Sequence, residues 1–165
     1  MVRAAMDRST ALGMPLVGSE CIAEGAMVET PCGMRAIELL LEGDTLVSMD
    51  PSTGERFETK AVRVHATRRE CVALRFGRTT LRCTPRQPIY DPSEGVFAPA
   101  SEWIEGRRQA LLDVDLRRVL VDTVLLDGGC LRVFDVSVAH PLHNFIVDGV
   151  LVHNETLAVS AAQVR

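Results

Sequence analysis

The chain has 165 residues, 47% of them hydrophobic, and a formal net charge of −4. These figures describe one globular domain with enough apolar residues to bury a core, and they exclude intrinsic disorder. The charge balance gives no electrostatic reason to expect nucleic acid, and no apolar run reaches membrane-spanning length.

Residues 1–20 lack a clean period, and the run 11–17, broken by Gly13 and Pro15, is too short for a secretory segment. Gly18-Ser19-Glu20 then reads as a flexible lead-in. From Cys21 the pattern becomes strand-like, through Cys21-Ile22-Ala23 and Met27-Val28-Glu29-Thr30, with a tight turn at Pro31-Cys32-Gly33. Residues 36–41 predict one helical turn stopped by Gly43, and residues 44–50 return to strand. Residues 56–66 alternate, with Phe57, Thr59 and Ala61 opposing Glu58, Lys60 and Val62. Residues 71–76 and 79–83 predict a hairpin around Gly77-Arg78. Pro85 and Pro88 interrupt the strands over residues 84–88, residues 100–105 predict a second helical turn, and residues 119–126 a further strand. Many short strands without a long helical period predict an all-β fold. The order strand, helical turn, strand occurs after Ala36 and again after Ala100, which suggests two related halves.

The last part of the chain concentrates the chemistry. Alternation over residues 133–138 sets Val133, Asp135 and Ser137 on one strand face and Phe134, Val136 and Val138 on the other. His140-Pro141-Leu142-His143 breaks that strand. Asn144-Phe145-Ile146-Val147 resumes it, Asp148-Gly149 is a two-residue hairpin signal, and Val150-Leu151-Val152 returns. His143 and His153 therefore fall on the two arms of one hairpin, with Asn154 at its mouth. The five cysteines, Cys21, Cys32, Cys71, Cys83 and Cys130, form no CxxC pair; such a set fits reduced thiols in the cytoplasm better than a disulfide framework. Cys130, His140, His143 and His153 have the donor types of a zinc site. Cys130, however, follows a separate Gly128-Gly129 turn, so neither a metal nor a cofactor is expected. His65 reads as a surface residue and Trp103 as a core residue.

Four separated pieces together resemble the Hint family of inteins, hedgehog autoprocessing modules and bacterial intein-like domains. Cys21-Ile22-Ala23-Glu24-Gly25 with Val28-Glu29-Thr30-Pro31, Ile37-Glu38 and Gly43-Asp44 resembles the family's opening block. Cys83-Thr84-Pro85-Arg86-Gln87-Pro88 resembles the internal block, Val133-Phe134-Asp135 with His143-Asn144-Phe145 the penultimate block, and Val150-Leu151-Val152-His153-Asn154 the terminal block. The resemblance implies an all-β, horseshoe-like fold with pseudo-twofold halves and one or two short helical turns. It also implies a Hint domain over residues 21–154, with flanks 1–20 and 155–165 that serve as its substrate. With the charge and apolar runs noted above, a monomer with no nucleic-acid or membrane partner is the expectation.

In the family's roles, Cys21 attacks the Glu20 carbonyl to make a thioester, since a thiolate is a strong nucleophile. Thr84 orients that bond, and Asp135 exchanges protons with the thiol. The internal block normally reads Thr-x-x-His, and Gln87 stands at its His position. A glutamine cannot carry a proton at neutral pH, so the thioester step is expected to be weak or absent. At the other end Asn154 cyclises and expels the amine of Glu155, helped by His143 and His153, which titrate near neutrality. Glu155 also stands where splicing needs Cys, Ser or Thr, so joining of the flanks is not expected. The expectation is a self-cleaving, single-turnover domain acting chiefly at Asn154-Glu155; the rival is a degenerate Hint scaffold serving as a structural or interaction module.

Overall fold

The computed structural model describes residues 20–154. Their strands are β1 (Ile22–Ala23), β2 (Met27–Thr30), β3 (Gly33–Ala36), β4 (Thr45–Met49), β5 (Arg56–Glu70), β6 (Val72–Phe76), β7 (Thr79–Cys83), β8 (Pro88–Asp91), β9 (Val96–Pro99), β10 (Ala110–Leu112), β11 (Arg118–Leu120), β12 (Thr123–Leu125), β13 (Cys130–Val138), β14 (Asn144–Val147) and β15 (Val150–His153). Helix is confined to a 3-10 turn, Ile37–Leu39, and one α turn, α1 (Ser101–Ile104). The fold is all-β, as the short alternating runs require.

One sheet has seven strands in the order β12-β6-β7-β1-β13-β5-β4, and a second has six in the order β3-β2-β14-β15-β8-β9. The second is symmetric in kind. Hairpin β14–β15 lies in the middle, and hairpins β2–β3 and β8–β9 flank it. Each outer hairpin leads into one helical turn and then a strand, β4 or β10. That is the repeated pattern of the two halves, now visible as architecture.

In the seven-stranded sheet, β13 runs antiparallel to the long β5, from Cys130 opposite Glu70 to Val138 opposite Ala61, with a bulge at Ser137/Val138. It is sandwiched between β5 and β1 and buried from Val133 to Val138. Phe134, Val136 and Val138 enter the main core with Ile22, Leu74, Leu81 and Trp103, and Val133 faces a smaller cluster with Cys21, Ala23 and Cys71. Each such buried apolar side chain contributes roughly 1.5–3 kcal/mol. Trp103 fixes α1 by donating its indole N–H to the Ala110 carbonyl at 3.1 Å.

Several elements differ from the sequence reading. Residues 119–126 do not form one strand: β11 pairs with β10, and β12 pairs with β6. Between them the Val121 N–H donates to Gln109 O at 2.8 Å and the Asp122 N–H to Arg75 O at 2.9 Å, so the chain changes partner within two residues. Strands β3, β8, β9 and β10 lie outside the expected set, because three or four residues carry too little alternation to register. Strand β5 continues past residue 66 to Glu70, where its side chains are mostly exposed.

The two sheets are joined by a side chain. Asn144, on β14, donates its Nδ2 to Met49 O at 2.9 Å and accepts the Met49 N–H at Oδ1 at 3.0 Å, while Ser48 Oγ donates to Asn144 O at 2.7 Å. The carboxamide stands in for one rung of a ladder between β4 and β14. Asn144→Ala leaves a buried N–H and a buried carbonyl of Met49 without partners, and is expected to destabilise the fold by roughly 2–4 kcal/mol. Urea unfolding followed by circular dichroism measures this; a loss below about 0.5 kcal/mol would make the link dispensable.

Candidate active site

Strand β1 is short, yet its register decides where the site lies. Ile22 stands opposite Phe134 on β13 and opposite Cys83 on β7. One residue earlier, Cys21 comes beside Asp135 on one side and Thr84 on the other. The Cys21 N–H donates to Thr84 Oγ1 at 3.0 Å, and Thr84 Oγ1 lies 3.4 Å from Cys21 O as a donor. That N–H belongs to the Glu20–Cys21 peptide bond, so the Thr84 hydroxyl touches the amide that a thioester-forming reaction would release. The Cys21 thiol is fully buried. Burial pushes its pKa far above the ordinary thiol range, the charge of Asp135 adds to the rise, and Arg69 opposes it. The ground state is therefore a neutral thiol, a poor nucleophile.

The other end of the domain reaches the same carboxylate. Strand β15 carries the chain past His153, and the Asn154 N–H donates to His143 O at 3.0 Å. The Asn154 carboxamide then turns inward. Its Nδ2 donates to Asp135 Oδ1 at 2.5 Å and to Val136 O at 3.0 Å. Asp135 is buried, with Arg63 at 3.6 Å from its second oxygen. The sequence reading has Asp135 serving the thiol; in the structure its carboxylate also accepts the asparagine amide.

His143 and His153 face each other with ring centroids 6.2 Å apart, and Phe97 packs on His153 at 4.8 Å. His143 adopts φ +52°, a left-handed conformation uncommon for a side-chain-bearing residue. The turn before it imposes this: the His143 N–H bonds to His140 O at 2.9 Å, and the His140 ring is stacked on Phe57. Strain of this kind is found where geometry must be fixed. Burial lowers the His153 pKa to about 4, and the neighbouring His143 adds to that drop. His153 is thus a neutral imidazole at physiological pH.

Four buried polar atoms have no hydrogen-bond partner among the described residues: Asp135 Oδ2, Ser137 Oγ, His143 Nδ1 and His153 Nδ1. Asp135 and the two histidines are legible in the sequence as site residues; Ser137 is placed there only on Asp135's face. The internal block makes Gln87 a failed proton donor near Cys21. Its Nε2 in fact donates to His153 O at 2.9 Å and to Pro88 O at 3.1 Å. Glu155 lies outside the described residues. Cys130, exposed at the start of β13, does not join the histidines, and among the described residues no group of three or more His, Cys, Asp or Glu could hold a metal ion. His65 is exposed, and no disulfide joins any of the five cysteines. Among the described residues no helix is long and apolar enough to cross a membrane.

Cys21, just before β1, and Asn154, just after β15, converge on the buried Asp135, and the two-sheet all-β fold that brings them there is that of a Hint/intein-type domain. The solved structure of a bacterial intein-like domain from Clostridium thermocellum is similar over 82% of this chain and 99% of its own, with 26% identity and a TM-score of 0.68. A DnaB intein from Synechocystis covers 81% of this chain and 97% of its own at 19% identity and TM-score 0.67. The gp41-1 intein covers 81% and 98% at 14% identity and TM-score 0.65. These last two likenesses show the fold alone. Neither a family model nor a curated protein matches the sequence.

The depressed pKa of His153 has a thermodynamic consequence. An unfolded chain takes up the proton near pH 6.5, whereas the folded chain resists until about pH 4, so acidification across this window favours unfolding. The melting temperature of the parent is expected to fall relative to that of His153→Gln as pH drops from 7 toward 4. A difference that stays constant across the window would mean that His153 is not desolvated.

Proposed function

We propose that the domain processes its own backbone, and that its principal reaction is cleavage after Asn154 by cyclisation of the asparagine. The observation that carries this reading is the buried Asp135 carboxylate holding the Asn154 amide nitrogen at 2.5 Å. In this reaction Nδ2 attacks the carbonyl carbon of Asn154, a five-membered succinimide closes, and the bond to the nitrogen of Glu155 breaks. Asp135 Oδ1 takes the proton that Nδ2 loses. The amine leaving as the N-terminus of Glu155 gains a proton, so the net transfer is of the proton lost by Nδ2, and the neutral His153 imidazole beside the bond can relay it, accepting at one ring nitrogen and donating from the other. Proximity lowers much of the barrier, because attacking atom and target belong to one residue.

The two ends of the domain are unequally prepared. A buried neutral thiol, an adjacent anion and an amide at position 87 all oppose thioester formation at Cys21. These observations favour the inert-scaffold reading at that end, and Glu155 offers no hydroxyl or thiol to accept the upstream segment. Cleavage without joining, with residues 155–165 as the released product, is the reading for the whole chain.

Intact-mass measurement on fresh protein follows both ends. The 165-residue chain should lose residues 155–165 and retain a succinimide on the larger fragment. Asn154→Ala should abolish release, and Asp135→Asn should slow it by roughly 10²–10⁴, the usual worth of one positioned base. A parent mass unchanged over days at neutral pH would favour the scaffold instead, and release that persists in Asn154→Ala would end the cyclisation reading.

The thiol end is tested separately. High concentrations of an added small thiol should release little of residues 1–20, because only a preformed thioester exchanges with it. Rapid thiol-dependent release would show that the Cys21 thiol is activated despite its burial.

A further inference from the structure

We propose that Gln87 is a positioning residue for the Asn154 reaction, holding through the His153 carbonyl the peptide plane from which Asn154 projects. This role rests on the C-terminal cleavage reading and assigns Gln87 to the opposite end of the domain from its place in the internal block.

Gln87 is itself rigidly held. Its N–H donates to Thr84 O at 3.1 Å, and its carbonyl accepts the Ala100 N–H at 2.9 Å. The residue is 3% exposed. Both hydrogens of its Nε2 are engaged, one by His153 O and one by Pro88 O. An amide so occupied has no proton to give to a leaving group at Cys21, and glutamine does not ionise.

The peptide unit between His153 and Asn154 has two polar atoms. Its N–H is held by His143 O at 3.0 Å, and its carbonyl by Gln87 at 2.9 Å. The attacking nitrogen is separately anchored on Asp135 and Val136. With plane and nucleophile both fixed, the torsions left to close the ring lie within Asn154. Small displacements of such a geometry cost rate steeply. An amide suits position 87 because it presents donors to two carbonyl oxygens. A carboxylate there would present only acceptors, and an aliphatic side chain would present neither.

The test compares the full 165-residue parent with Gln87→Met and Gln87→Glu, reading release of residues 155–165 by intact mass in samples shown to be folded. Gln87→Met keeps the length and loses both donors, and is expected to release roughly three- to tenfold more slowly, the worth of one neutral hydrogen bond. Gln87→Glu should be slow at neutral pH and recover relative to the parent as its carboxyl protonates and again donates to His153 O. The titratable groups around this point, His143, His153 and Asp135, are common to parent and variant, so the ratio at each pH isolates position 87. In the non-cleaving Asn154→Ala protein, Gln87→Met should also move the ¹³C shift of the His153 carbonyl. A folded Gln87→Met that cleaves at the parental rate, or a Gln87→Glu ratio flat with pH, overturns the role. If Gln87→Met does not fold, the Gln87→Glu ratio decides alone. A parent that releases nothing overturns the cleavage reading and this role with it, whereas a cleaving parent with unaffected variants overturns this role only.

Discussion

Asp135 sits on β13, between β1 and β5, where water does not reach it. Removing a carboxylate from water costs several kcal/mol unless other groups replace the solvent. Here one oxygen accepts the Asn154 amide, and the other has only a longer approach from Arg63. That deficit constrains everything around it. The register of β1 on β13 brings Cys21 alongside, and β15 delivers Asn154 to the same point. A carboxylate on an outward-facing strand would be solvated and would organise nothing.

The same charge acts oppositely on the two residues it gathers. It raises the pKa of the Cys21 thiol and so opposes the thiolate. Toward the carboxamide it is an acceptor, drawing on an N–H and increasing electron density at nitrogen. One buried carboxylate thus holds the asparagine amide and disfavours the thiolate.

Local signals made much of this legible from sequence. Asp148 and Gly149 take φ +49° and +77°, the paired left-handed conformation that a two-residue hairpin demands, and so the placement of His143 and His153 on facing arms comes from two residues. Alternation marks β5 and β13, and the pairing of imidazoles and carboxamide comes with the hairpin. What sequence could not supply is non-local register. Ile89 stands opposite Val152, which carries Gln87 toward the end of β15; no local pattern in residues 84–88 announces that partner. The left-handed His143 is equally hidden, because the stacking of His140 on Phe57 joins elements far apart in the chain. Asn144 looks like one more strand residue, although it is the link between sheets.

The convergence of Cys21 and Asn154 on one carboxylate has a geometric meaning apart from chemistry. The start of the first strand and the end of the last lie at one point, so the described domain begins and ends at neighbouring positions. A polypeptide that carried this domain in its interior would find its two parts held close together, as across an ordinary surface loop. Such a unit neither stretches nor separates what surrounds it.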